Sequence, residues 1–228
     1  MKIESCISKN QKTIKSFDCT SNCPKRRAHN ECKYCYVSAA RRKGWKPKFV
    51  YDYKPYQHEV LRYKKVTIDK LNKAGGIRMF SFGDYMKEHD NDIKMFLDDC
   101  ETIKLKVKTI TKQVSFIDKY HEHKAIAVIH ISVDTIGCGV PHDVAKAYRA
   151  KYDKVRIRAV ILQDSDIIDL SFSDVYTYNH ASNVGFHRYG TAERIEKSKE
   201  YGILKKTCCL IDMEKGENCT NCRVKCSI

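Results

Sequence analysis

Residues 125–133 read AIAVIHISV, an almost unbroken apolar run rich in β-branched side chains. A run of that length and composition is what a strand covered on both faces requires, and such strands belong to parallel sheets with helices packed over them. The flanking sequence agrees. From Lys12 onward short β-rich runs alternate with longer helical ones, the pattern of repeated βα units. The strands are expected at 13–17, 77–82, 107–111, 125–132, 155–162 and 175–178, and the helices at 58–73, 90–104, 115–122 and 141–150. The last helix opens on Pro141, a residue suited to a first helical turn. Six βα units either curl into an open, partial barrel or lie as a doubly wound sheet, and periodicity does not separate the two. In both, the loops that follow the strand C-termini carry the chemistry.

The chain has 228 residues, 42% of them apolar, with ten Gly and four Pro, enough for one substantial core and a short appendage. No stretch approaches the ~18–20 apolar residues of a membrane span. The opening MKIESCISKNQK has no apolar centre of the signal-peptide kind. These features predict a soluble, cytoplasmic protein with no membrane partner. Twelve cysteines in such a compartment point to metal ligation before disulfides. Forty-three Lys and Arg against 28 Asp and Glu give a formal charge of +15, suited to nucleic acid, phosphorylated substrates or an anionic cofactor. Because the positive residues are spread along the whole chain, a generally basic, solvated surface is the competing explanation.

The cysteines fall into two groups. Cys23, Cys32 and Cys35 are spaced C-x8-C-x2-C directly after the first expected strand. A closed zinc site there needs a fourth ligand, Cys19 or His29, whereas a 4Fe-4S cluster on three thiolates keeps one iron open. Lys25, Arg26, Arg27 and Lys33 surround the thiols with positive charge, which offsets the net negative charge of a thiolate-bound cluster. The second group, Cys219, Cys222 and Cys226 with Cys209 or Cys208 upstream, lies in a tail over 205–228 that has little to build a core with. Four thiolates at that spacing hold zinc or a 4Fe-4S cluster equally well. Domain boundaries follow at 1–204 and 205–228, with the first cysteine loop over 19–36.

Tyr34 immediately precedes Cys35, and the loop follows the first strand of a βα series. In these respects the chain resembles the radical S-adenosylmethionine superfamily, whose cluster loop has an aromatic residue ahead of the third cysteine. The superfamily's usual spacing is C-x3-C-x2-C, so the eight-residue first gap is a departure. KNQKT near the start, CP at 23–24, CY at 35–36, GD at 83–84 and the cysteine-rich tail are also similar to a small, mostly phage-borne family of uncharacterised function.

The resemblance implies an α/β fold, a partial (βα)6 parallel barrel of radical-SAM type with the tail as a small metal-binding appendage. It implies one 4Fe-4S cluster on Cys23, Cys32 and Cys35, and an auxiliary cluster in the tail with zinc as the alternative there. S-adenosylmethionine would be held by Tyr34, Gly83, Asp84, Lys112, Ser132, Asp134 and Arg158, the last in VRIRAVIL, where Arg156 and Arg158 share a face. A donor such as flavodoxin or ferredoxin would supply electrons, and a 5'-deoxyadenosyl radical would abstract hydrogen from a nucleic acid, nucleotide or acidic substrate. Cys138 and Tyr178 are the candidates for catalytic side chains. A different class competes: a zinc-stapled nucleic-acid-binding protein without catalysis, in which both cysteine groups are structural and the charge carries affinity.

Overall fold

The computed structural model describes residues 7–10, 14–18, 23–24, 32–33, 35, 52–81, 83–179 and 189–208. Seven strands form one sheet in strict chain order. They are β1 (Ile7–Asn10), β2 (Ile14–Phe17), β3 (Ile77–Met79), β4 (Val107–Thr111), β5 (Ile126–Val133), β6 (Val155–Ile161) and β7 (Val175–Tyr178). β1 runs antiparallel to β2, and every later pairing is parallel. The six parallel strands are those expected; the antiparallel edge strand β1 was not. Parallel crossovers share one hand, so a strictly sequential order stacks all the helices on one face of the sheet. A doubly wound sheet needs a reversal in strand order, and there is none. The sheet curls into a half-barrel.

The helices are α1 (Gln57–Leu61), α2 (Lys65–Lys73), α3 (Asp90–Thr102), α4 (Val114–Tyr120), α5 (His142–Lys151), α6 (Asp166–Asp169) and α7 (Thr191–Glu200). The expected helix over 58–73 is two helices, because Lys64 turns to an extended conformation (φ −65°, ψ 150°) between them. The strand expected over 77–82 stops at Met79. Phe80 follows with φ +60°, a left-handed conformation costly for a bulky residue. Its ring is held edge-on against Phe116 at 5.2 Å, which keeps the chain in that bend.

Alternation along each strand sorts the side chains into two faces. One is apolar: Phe17, Met79, Val107, Ile129, Ile131, Ile157 and Ile161 are fully buried and join Ile93, Phe96 and Leu97 of α3, Phe116 and Ile117 of α4 and Ala145 of α5 in one core. Phe17 of β2 stacks on Phe96 at 3.8 Å with ring planes 3° apart. Burying each such side chain stabilises the fold by about 1.5–3 kcal/mol. The other face, turned away from the helices, carries Ser16, Arg78, Lys108, His130, Ser132, Arg156 and Arg158, matched across the ladder as Ser16–Arg78–Lys108 and as His130–Arg156 and Ser132–Arg158. The same face also carries Ile110, Val128, Val160 and Val175, so the half-barrel's hollow is mixed, with cationic and hydroxyl side chains available to a polar ligand among apolar ones.

Candidate functional site

Three strand ends are fastened together at the rim. Just past β3, the Asp84 carboxylate is 8% exposed. It accepts a hydrogen bond from the Thr111 hydroxyl at 2.5 Å, from the Lys112 backbone N–H at 2.9 Å and from the Tyr85 N–H at 2.8 Å. Burial pushes its carboxyl above the ordinary carboxylate range, against the opposing pull of these donors and the Lys112 charge. Three of its roughly four acceptor positions are thereby filled. Asp84 is therefore a tie between the β3 and β4 ends, and any ammonium it held would share it with those donors.

The loop after β5 is built in the same way. Asp134 accepts the Ile136 and Cys138 backbone N–H groups on Oδ1, at 3.1 and 2.9 Å, closing an Asx-type turn. Its carbonyl meets His142 Nε2 at 2.9 Å, and the Val140 N–H returns to the Ser132 carbonyl at 2.9 Å. Gly139 permits this return: a Cβ there would lie 2.7 Å from the Ser132 oxygen and the Val133 Cα.

Cys32 sits where these loops meet. Its Sγ is 3.0 Å from Lys112 Nζ and 3.8 Å from the Cys138 carbonyl oxygen. The Cys35 N–H donates to the Cys32 carbonyl at 2.9 Å, so the C-x2-C segment forms a turn against the β4 and β5 ends. An ammonium at hydrogen-bond distance offsets negative charge on sulfur, the condition under which a thiolate ligates or reacts. Lys112 lies one residue beyond the Thr111–Ile131 pair and so level with Ser132, whose ladder partner on β6 is Arg158. Lys112, Ser132 and Arg158 make one row on the hollow face beside Cys32. Pro24, next to Cys23, lines a cleft of about 390 Å³ with residues 85–88, Gln113 and Ser115, which places that part of the cysteine loop against the β3 and β4 ends as well.

Cys23, Cys32 and Cys35 are all half-buried. Among the described residues no three His, Cys, Asp or Glu side chains converge as a metal-binding group. The donor chemistry and position suit a soft metal, with Cys32 charge-matched by Lys112, but binding one requires Cys23 and Cys35 to be drawn in toward Cys32. Tyr34, Cys19, His29 and the tail cysteines Cys209, Cys219, Cys222 and Cys226 lie outside the described residues. Cys208 is described, and its N–H donates to the Tyr176 carbonyl at 2.8 Å, so the chain leaves for the tail alongside β7. Gly83 is half-buried beside Asp84. Cys138 is half-buried at the rim, next to Cys32.

Tyr178 is elsewhere. It is 1% exposed, its ring is 4.8 Å from that of Tyr189 and its hydroxyl accepts from Ser198 of α7 at 3.4 Å. Tyr176 and Tyr178 share a face, as alternation predicts, and it is the apolar, helix-covered one; Tyr178 closes β7 at the rim end, level with Ile161, but turns away from the hollow. Two contributors escaped the sequence: Thr111, which holds Asp84, and His142, which holds the β5 loop. Thr111 acts across two βα units, 27 residues from Asp84, and His142 acts within its own unit, from the start of α5 back to the β5 loop; no short-range motif marks either. Comparison with protein-family models and with curated proteins finds no match. The described helices include none long and apolar enough to cross a membrane.

Proposed function

We propose that the chain is a radical S-adenosylmethionine enzyme, cytoplasmic, with the 4Fe-4S cofactor held by Cys23, Cys32 and Cys35 at the mouth of the half-barrel. The observation that carries this reading is the placement of Cys32: a thiol at the strand-end rim, 3.0 Å from Lys112 Nζ, beside a row of cationic and hydroxyl side chains on the hollow face. A sequential half-barrel with a cysteine loop after its first parallel strand is the architecture such chemistry uses, and fold alone would not distinguish it from other barrels. Held by Cys23, Cys32 and Cys35, the cluster would supply the electron, received from a flavodoxin- or ferredoxin-like donor, for reductive cleavage of S-adenosylmethionine.

The protein's own work is positional. Lys112 and Arg158 supply positive charge for the cofactor's carboxylate, with Ser132 as a hydroxyl between them. Asp84 fixes the Lys112 backbone, and Asp134 and Gly139 fix the loop that brings the Cys138 carbonyl to Cys32. Cys138, whose carbonyl lies beside Cys32, would be the nearer of the two candidate catalytic side chains, and Tyr178 packs on the helix-covered face. The tail over 205–228 would carry an auxiliary iron-sulfur cluster or a zinc ion on Cys209 (or Cys208), Cys219, Cys222 and Cys226. Anaerobic reconstitution with iron, sulfide, a reductant and S-adenosylmethionine tests the reading. Release of 5'-deoxyadenosine by the native chain and its loss in Cys32→Ala and Cys35→Ala are expected. Colourless protein carrying only zinc would favour the structural, nucleic-acid-binding alternative.

A further inference from the structure

Below the rim, the hollow face holds a second pair of cations. Arg78, central in β3, lies directly opposite Lys108 of β4. Like charges facing one another across adjacent strands repel. Among the described residues no carboxylate forms an ion pair with the guanidinium, and Arg78 Nε is enclosed without a hydrogen-bond partner; the nearby buried carboxylate of Asp18 lies two residues beyond Ser16, the ladder partner of Arg78. Lys108 donates to the Ala74 carbonyl, the C-cap of α2, at 2.7 Å, which orients the ammonium and eases its charge in part, and among the described residues no carboxylate forms an ion pair with it. Arginine is only half-buried there, so the group is reachable from solvent. An unpartnered guanidinium donor beside a second cation is costly in the ligand-free protein, and an oxyanion removes both costs at once. Two unit charges match a phosphate dianion better than a carboxylate.

We propose that Arg78 and Lys108 form a subsite inside the half-barrel for a phosphate group of the substrate. The proposal rests on the reading of the rim as the cofactor site and names the substrate class. Lys108 precedes Lys112 by four residues, about 13 Å along the strand at ~3.3 Å per residue. A molecule engaging both levels therefore carries its phosphate roughly a nucleotide's length from the carbon that reacts. The second cationic pair is separate from the Lys112–Ser132–Arg158 row in height, so one anion does not occupy both.

The test is calorimetric titration of the full-length chain with inorganic pyrophosphate and, in parallel, with acetate at the same ionic strength. One pyrophosphate per chain is expected, bound at least tenfold tighter than acetate. Arg78→Met and Lys108→Met should each weaken it tenfold or more, while Lys70→Met, at an exposed position on α2, leaves it unchanged. Absence of saturable binding, equal affinity for acetate, or equal loss in the Lys70 variant overturns the proposal. Thermal unfolding covers misfolding: Arg78→Met, which removes a guanidinium with no ion-pair partner among the described residues, should leave the midpoint unchanged or raise it, whereas Lys108→Met also removes the hydrogen bond to the Ala74 carbonyl and is judged on binding alone. A lowered midpoint in Arg78→Met makes the guanidinium structural and overturns the proposal as well. Neither reductant nor S-adenosylmethionine enters the titration, so failure here and failure to release 5'-deoxyadenosine are separate results.

Discussion

Replacing Asp84 by asparagine should loosen the rim, and the structure sets the size of the effect. Oδ1 accepts from the Thr111 hydroxyl and the Tyr85 N–H, and Oδ2 accepts from the Lys112 N–H. An asparagine oriented to keep the first two turns its NH2 toward the Lys112 N–H, donor against donor. The Lys112 amide and the new side-chain N–H are then both left unsatisfied in a buried position, at about 1–3 kcal/mol each. Allowing for local relaxation, Asp84→Asn should lose roughly 2–4 kcal/mol, a large share of the ~5–15 kcal/mol typical of a folded domain. For a chain of this length that lowers the thermal midpoint by roughly 5–15 °C. Urea unfolding followed by circular dichroism measures it. Asp84→Ala, which strands all three donors, should lose more. If Asp84→Asn unfolds within ~0.5 kcal/mol of the native chain, the carboxylate is not the tie between β3 and β4, since that is the size of an ordinary surface substitution.

Other expectations follow from the same geometry. Gly139→Ala forces a Cβ to 2.7 Å from backbone atoms of Ser132 and Val133; a loss of about 2 kcal/mol or more is expected from such overpacking, and a variant of native stability would contradict the close return of the β5 loop. Lys112→Met should leave the fold intact but reduce iron retained after reconstitution several-fold, because it removes the ammonium beside Cys32; undiminished iron content would make that contact incidental. At Asp90, burial raises the carboxyl pKa, but hydrogen bonds from Lys119, Tyr120 and Tyr85 outweigh it and hold the group below the ordinary range. A depressed folded pKa stabilises above the unfolded value of about 4 and is lost as pH falls through the folded value. The stability gap between the native chain and Asp90→Asn, read from urea midpoints, should therefore shrink between pH 6 and pH 3, and a constant gap would refute the shift.

The parallel strands were legible because each is a compact apolar or alternating run bounded by polar sequence, AIAVIHISV above all. What the sequence left open, a curled or a doubly wound sheet, depends on strand order, which no local pattern encodes. The break between α1 and α2 was hidden because residues 62–64, RYK, contain no glycine or proline, and the early end of β3 because its bend falls on Phe80 and is held by Phe116 from another unit. At the rim, position was readable from the βα register, so Asp84, Lys112, Ser132 and Asp134 stand near the strand ends as expected, and Arg158 lies mid-strand in β6 on the same face as Arg156. Their bonding was not: that Asp84 spends its oxygens on Thr111 and Lys112, and that Lys112 reaches Cys32, are contacts between segments 27 to 80 residues apart. Arg78 was passed over although its place between Ile77 and Met79 already put it on the face opposite the core.

An iron vertex left open by Cys23, Cys32 and Cys35 is tested most directly by electron paramagnetic resonance of the reduced, iron-reconstituted chain before and after S-adenosylmethionine is added, with the tail cysteines replaced so that one cluster contributes. Direct binding at the open iron predicts a 4Fe-4S signal whose g values shift on addition and do so only while all three loop cysteines are present. A signal indifferent to S-adenosylmethionine, or a site filled by zinc with no iron signal at all, would contradict it.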